Sequence, residues 1–203
     1  MTLGEARTAI RAETSHDSDT QVTDAQLDER INTDHSNVRR KIAMVAPQIY
    51  TETDHEQTLA AGEDTLEMPL DYERLIRVER QYGTEWYDIE ASDELGPHRM
   101  PLNVREEANG LKVAPLSQAA GVYRIIYVME PEGLVDDGDE LDVPSGFEDI
   151  IVQLGCAFVR RRHEESQSAH LEIADRVWKE QKPLLRKRYG RHAVPGMRQV
   201  RRW

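Results

Sequence analysis

Cysteine is nearly absent from this chain: Cys156 stands alone among 203 residues. An intramolecular disulfide is impossible, and a zinc framework built from several cysteines is not expected. A single thiol suits a reducing compartment. Long apolar runs are missing too, since no stretch approaches the roughly 20 residues a membrane helix needs. Met1 to Arg11 mixes acids and bases and has no apolar core, so it does not read as a secretory signal. Motifs that carry chemistry are also lacking: there is no P-loop, no GxGxxG and no GxSxG. These absences weaken the case for an enzyme without closing it, because catalytic residues can converge from distant parts of a chain. Charge of one sign is missing in two places. Ile125 to Val159 holds no Lys or Arg, and from Lys182 onward there is no Asp or Glu.

What is present is polar. Charged residues make up 32% and hydrophobic ones 38%, with a mean hydropathy of -0.69. Those values describe a soluble protein long enough to bury a core without staples. The net charge of -12 conceals a division. Arg160 to Trp203 carries 13 Lys/Arg against 5 Asp/Glu, and the rest of the chain 13 against 33. A basic end on an acidic body points to recognition through that end; the bland alternative is a solubilising tail.

The pattern along the chain runs helices, strands, helices. Thr2 and Glu5 have the spacing of a capping box, in which side chains serve each other's free backbone donors. Leu3, Ala6 and Ile10 then make an apolar edge. Residues 14–22 read as a polar linker. Thr23 and Gln26 repeat the box before a helix with Leu27, Ile31, Val38, Ile42 and Val45 at helical spacing, stopped by Pro47. His35 lies near that stripe and reads as a packed histidine. Between about 49 and 130 short β-leaning runs alternate with turn signals. Leu75–Glu79 and Glu85–Ile89 flank Tyr82-Gly83, and Leu102–Glu106 and Leu111–Val113 flank Asn109-Gly110, a hairpin signal. Val122–Met129 reads as a central strand. Pro69, Pro97, Pro101 and Pro115 fall between the runs. Residues 130–143 form an acidic loop. Ser145 and Glu148 suggest a cap for a helix whose apolar face is Phe147, Ile150, Ile151, Leu154, Ala157 and Phe158, with Gly155 and Cys156 small enough for close helix contact. A last helix carries Ala169, Ile173, Val177 and Trp178 on one side, and Pro183 is expected to end or kink it. The expected fold is α+β: a helical bundle from 1–48 and 144–190, an inserted antiparallel β-sandwich or barrel with the acidic loop over 49–143, and an extended basic arm over 191–203.

Several clusters invite chemistry. Asp136, Asp137, Asp139 and Asp142 resemble calcium ligands, but an EF-hand register would put Gly133 at its first position, so a solvated loop is preferred. The segment from His163 to His170 is not HExxH, because its histidines stand seven apart. That spacing brings them near one helix face, where a solvated pair is preferred to zinc. Cys156 sits on an apolar face and reads as buried. The expectation is no catalytic residue, no metal and no cofactor. Nucleic-acid binding through Lys182, Arg186, Lys187, Arg188, Arg191, Arg198, Arg201 and Arg202 is the alternative function, opposed by an acidic body that repels polyanions.

The runs TLGEARTAI, VTDAQLDERIN, MPLDYERLIRVERQYGTEWYDIE, GVYRIIYVMEP, DVPSGFEDIIVQLGCAFVRRRHEE and KPLLRKRYG span most of the chain. Together they resemble the head-to-tail adaptor proteins of tailed bacteriophages, also called connector or head-completion proteins. The resemblance implies a non-catalytic virion protein made in the host cytoplasm and placed at the head-tail junction. It implies a dodecameric ring under the portal, around the DNA channel, with a platform for tail or nozzle proteins. Its partners would be the portal, neighbouring adaptor subunits, tail proteins and DNA passing without sequence-specific binding. It also implies a C-terminal arm reaching the portal, here after Gly190. On that reading the portal-binding residues are Arg186, Arg188, Tyr189, Arg191, Met197, Arg198, Arg201, Arg202 and Trp203, the last joined by Met197 as apolar anchors.

Overall fold

The computed structural model describes residues 1–15, 21–91 and 102–189. The chain divides into two compact units, one made of Met1–Ile49 with Pro131–Trp203, the other of Tyr50–Glu130. The class is α+β.

In the helical unit both capping boxes form. Thr2 caps α1 (Leu3–Thr14) and Thr23 caps α2 (Asp24–Val45), each hydroxyl accepting from the third backbone amide of its helix while Glu5 or Gln26 reaches back. These exchanges satisfy donors that a helix start otherwise leaves open. The expected stripes are buried except at their end: Leu3, Ala6 and Ile10 on α1, and Leu27, Ile31, Val38 and Ile42 on α2, are enclosed, while Val45 is half-buried. Pro47 opens a short 3-10 turn, Pro47–Ile49, after α2 has ended.

Helix α4 (Glu148–Arg162) differs from its sequence reading. It is buried on nearly every side, with Val152, Gln153, Cys156 and Val159 enclosed as well as Ile150, Ile151 and Ala157, while Leu154 and Phe158 are only half-buried. A helix apolar all round belongs in the middle of a bundle, and α4 packs on α1, α2 and α5 (Ser168–Tyr189). Ser145 does not cap it. A turn in which the Phe147 amide meets the Pro144 carbonyl puts Phe147 at the cap position, and Glu148 accepts instead from the Gly146 amide at 2.8 Å. Pro183 does not end α5, which continues to Tyr189. The carbonyl that loses its partner belongs to Lys179, and both residues are exposed, so water can replace the missing donor. The apolar side of α5 is also shorter than expected. Ala174 and Leu185 are buried, Ile173, Val177 and Trp178 half-buried, and Ala169 exposed.

In the β unit, strands β1 (Thr51–Leu59), β2 (Thr65–Leu66), β3 (Tyr72–Tyr82), β4 (Glu85–Ala91), β5 (Asn103–Glu107), β6 (Gly110–Ala114) and β7 (Gly121–Met129) form a seven-stranded sheet in the order β1-β7-β3-β4-β5-β6-β2. A one-turn helix, α3 (Leu116–Ala119), links β6 to β7. β7 is central, between β1 and β3, and its alternate residues Tyr123, Ile125 and Tyr127 join the core while Ile126 and Val128 are buried on the opposite face. Burial on both faces is what made it read as an unbroken apolar run. One pairing departs from the antiparallel expectation: β4 runs parallel to β5. The outermost strands approach each other, because the Gln57 side-chain amide on β1 donates to the Glu67 carbonyl beside β2 and accepts from the Glu67 amide, both at 2.8 Å. The second hairpin shifts by one residue from its signal. Glu107 faces Gly110, so Ala108 and Asn109 make the turn, and Gly110 is the first residue of β6 at φ 149°. A Cβ there would meet the Leu66 carbonyl at 2.3 Å, so glycine is needed for β2 to approach.

The contact of α4 with α1 at Gly155 is testable. A Cβ on Gly155 of α4 would lie 2.3 Å from Cδ1 of Ile10 on α1. Overpacking costs roughly 1–3 kcal/mol, against about 1 kcal/mol gained by alanine in a helix. Gly155→Ala should therefore lower stability in urea denaturation. In an Ile10→Val background, which removes the colliding atom, the same change should become neutral or stabilising.

Candidate functional site

The basic C-terminal end of α5 begins with one buried anchor. Leu185 is 4% exposed, whereas Arg186, Lys187 and Arg188 around it are exposed. Cations in a last helical turn face the negative end of the helix dipole. The Arg188 guanidinium lies 5.5 Å from the Tyr189 ring centroid, and Gln48 donates to the Tyr189 carbonyl, tying the helix end to the turn after α2. Leu184 is 56% exposed. Beside it a cleft of about 140 Å³ is lined by Phe147, Gln181, Leu184, Leu185, Arg188 and Tyr189, among others. A cleft with apolar lining and one cation, Arg188, has the chemistry to take an apolar side chain beside a carboxylate. Arg186, Arg188 and Tyr189 are thus helical, within the 144–190 segment expected to belong to the bundle. Arg191, Met197, Arg198, Arg201, Arg202 and Trp203 lie outside the described residues.

The acidic segment keeps most of its carboxylates exposed, as expected of a solvated loop, but its backbone is pinned. Residues 131–143 group with the helices and strap across them. Leu134 and Leu141 are buried. The Leu3 and Gly4 amides donate to the Asp139 and Asp137 carbonyls, and the Leu141 amide to the Met1 carbonyl. Asn32 on α2 acts like a strand partner, donating to the Leu134 carbonyl at 2.8 Å and accepting from its amide at 2.6 Å. Arg7 on α1 pairs with Asp137 and, across 3.0 Å, with Asp28 of α2, while Arg39 pairs with Asp142 at 3.2 Å. The Asp139 carboxylate accepts from the amides of Val135 and Asp136, which holds its pKa below the usual carboxylate range. Three of the loop's carboxylates, those of Asp137, Asp139 and Asp142, thus engage their own chain, an arrangement invisible to a search for calcium spacing.

The remaining candidates separate. His35 is buried beside Arg39 and Asp142, and burial lowers its pKa, as suits a packed histidine. His163 closes α4 and His170 opens α5, so the two do not share a helix face. Cys156 is fully buried, and burial pushes its thiol up to about 12. Cys156 and His170 nevertheless meet, together with Glu13 of α1, which no sequence signal marked. In the β unit a concave surface of about 680 Å³ includes Glu56, Glu63, Asp64 and Glu67, a lining that repels phosphate. Among the described residues no helix is long and apolar enough to cross a membrane.

The model of the SU10 adaptor protein family matches residues 1–195. The chain belongs to that family. Its members are structural adaptors of the phage head-tail junction, so this adaptor is a virion component and not a member of an enzyme class. No curated protein matches this adaptor.

Two outcomes follow for the helical unit. Asn32→Ala strands both backbone groups of Leu134 and should cost about 1–3 kcal/mol, read by urea denaturation, with faster proteolysis near residues 134–138. Asp34 is 2% exposed on α2, and burial raises its carboxyl to about 6 despite Arg30 at 2.8 Å. The folded state then holds a proton that the unfolded state releases, so this residue's contribution is complete only below the unfolded value of 3.8 and is lost as pH rises through about 6. Asp34→Asn should remove that fall, leaving the variant's stability advantage over the natural chain larger at pH 7 than at pH 4.

Proposed function

We propose that this adaptor forms a ring under the portal, extends the DNA channel and offers a platform for tail attachment. It docks on the portal through its basic C-terminal end. The observation that carries the reading is the family match over residues 1–195. The choice of docking end rests on charge: the body is acidic, the end from Lys182 onward has no acid, and Arg186, Lys187 and Arg188 stand exposed on a helix whose other anchors are few. In this reading the arm over 191–203 continues from α5 into clefts between portal subunits. Met197 and Trp203 serve as apolar anchors, and Arg191, Arg198, Arg201 and Arg202 pair with portal carboxylates.

The β unit, read as a barrel closed at Gln57, is an insertion between the two halves of the helical bundle. Ring neighbours meet through two different side faces, a contact that closes by rotation. Asp137 and Asp142 are engaged within their own chain, so the acids assigned to a neighbour are the exposed Glu132, Asp136 and Asp149. The acidic concave surface of the β unit speaks against a nucleic-acid-binding module, because DNA in the channel should slide past without being gripped.

The docking claim is checked by deleting 191–203. The truncated chain should keep its circular dichroism spectrum and melting temperature yet lose binding to purified portal. Undiminished portal binding would overturn the assignment of the arm.

A further inference from the structure

Glu13, Cys156 and His170 come from three different helices, α1, α4 and α5, of one compact unit. A carboxylate oxygen, the sulfur and a ring nitrogen all lie within 4.8 Å of one another. The three differ in access: Cys156 is 0% exposed, while the side chains of His170 and Glu13 are 13% and 40% exposed. The site is therefore closed on its sulfur side and open to water beside Glu13.

Gln153 lies one helical turn before Cys156 on α4 and supports the other two groups. Its Nε2 donates to Glu13 Oε1 at 2.8 Å, and its Oε1 meets His170 Nδ1 at 2.8 Å. A buried amide that orients a carboxylate and an imidazole together is the supporting shell that metal ligands require. Zinc bonds of roughly 2.0–2.3 Å place tetrahedral ligands about 3.5 Å apart. Closing from 4.8 Å needs shifts on the order of 1 Å, within the reach of side-chain torsions on Glu13 and His170.

We propose that Glu13, Cys156 and His170 bind a divalent transition ion of the zinc type, with water in the fourth position. The sulfur and nitrogen donors select a borderline-soft ion over magnesium or calcium. Charge supports the choice, because a doubly charged cation with one thiolate, one carboxylate and a neutral imidazole sums to zero beside a closed sulfur pocket. On binding, the Cys156 S–H bond breaks, its proton passes to solvent and its electron pair forms the metal bond. The ion fastens the start of α5 to α1 and α4. That helix buries only Ala174 and Leu185 along its 22 residues, so a link near its first turn supports the element that carries the basic end.

The test uses the full chain, stripped with chelator and titrated with Zn²⁺ or Co²⁺. The expected results are one equivalent bound, a thiolate-to-cobalt charge-transfer band in the near ultraviolet, and a Zn²⁺-dependent rise in melting temperature. His170→Gln and Glu13→Gln keep groups able to hydrogen-bond Gln153. They should retain the metal-free melting temperature but weaken binding by more than the roughly 10–100-fold of a supporting-shell loss. Cys156→Ala should abolish the charge-transfer band. The proposal is overturned if the natural chain shows no such band, or if His170→Gln keeps the same affinity and melting shift. In either case the cluster is only a hydrogen-bonded join between helices.

Discussion

Helix α4 can bury itself on nearly every side only because the first two helices return to it across the whole β unit. The contact that fixes this return is the seating of Ile10 against the bare backbone at Gly155. Closing so long a loop is entropically costly, though the cost grows slowly with loop length. Burial of α4 against three helices supplies the offset. Everything else in the helical unit follows from that closure. The strap reaches Arg7 and Arg39 because α1 and α2 are already in place, and α5 has a surface to lie on because α4 presents its remaining side.

The strap also explains the odd distribution of charge. A run of acids without bases would repel itself in a free loop, yet here Asp137 and Asp142 meet arginines from two helices, and Asp139 caps its own turn. Surface ion pairs contribute little singly. The backbone bonds from Leu3, Gly4 and Leu141, with Asn32, hold the segment. With these acids engaged at home, the exposed cations at the end of α5 remain for a partner. In the proposed docking, that asymmetry leaves the basic end to meet the portal.

Features with local causes were legible in the sequence. Thr2 with Glu5 and Thr23 with Gln26 announced two helix starts because capping depends on neighbours three residues apart. The central strand β7 announced itself through burial of both faces. Strand β1 did not, because TETDHEQTL has one apolar residue and its pairing comes wholly from β7. The expected Ser145 cap gave way to a turn centred on Gly146, and the Asn109-Gly110 signal slipped because Gly110 must admit the Leu66 carbonyl. Pro183 read as an end or a kink, and that the helix runs on past it depends on exposure, a tertiary fact. The meeting of Glu13, Cys156 and His170 had no sequence signal at all, since its members lie on three helices and only packing unites them.

We propose that this chain joins a phage head to its tail through the portal. Negative-stain imaging of purified portal, alone and after incubation with the full chain, tests it most directly. Docking should add a ring of density beneath the portal, coaxial with its channel. Portal particles unchanged at saturating chain concentration would contradict it.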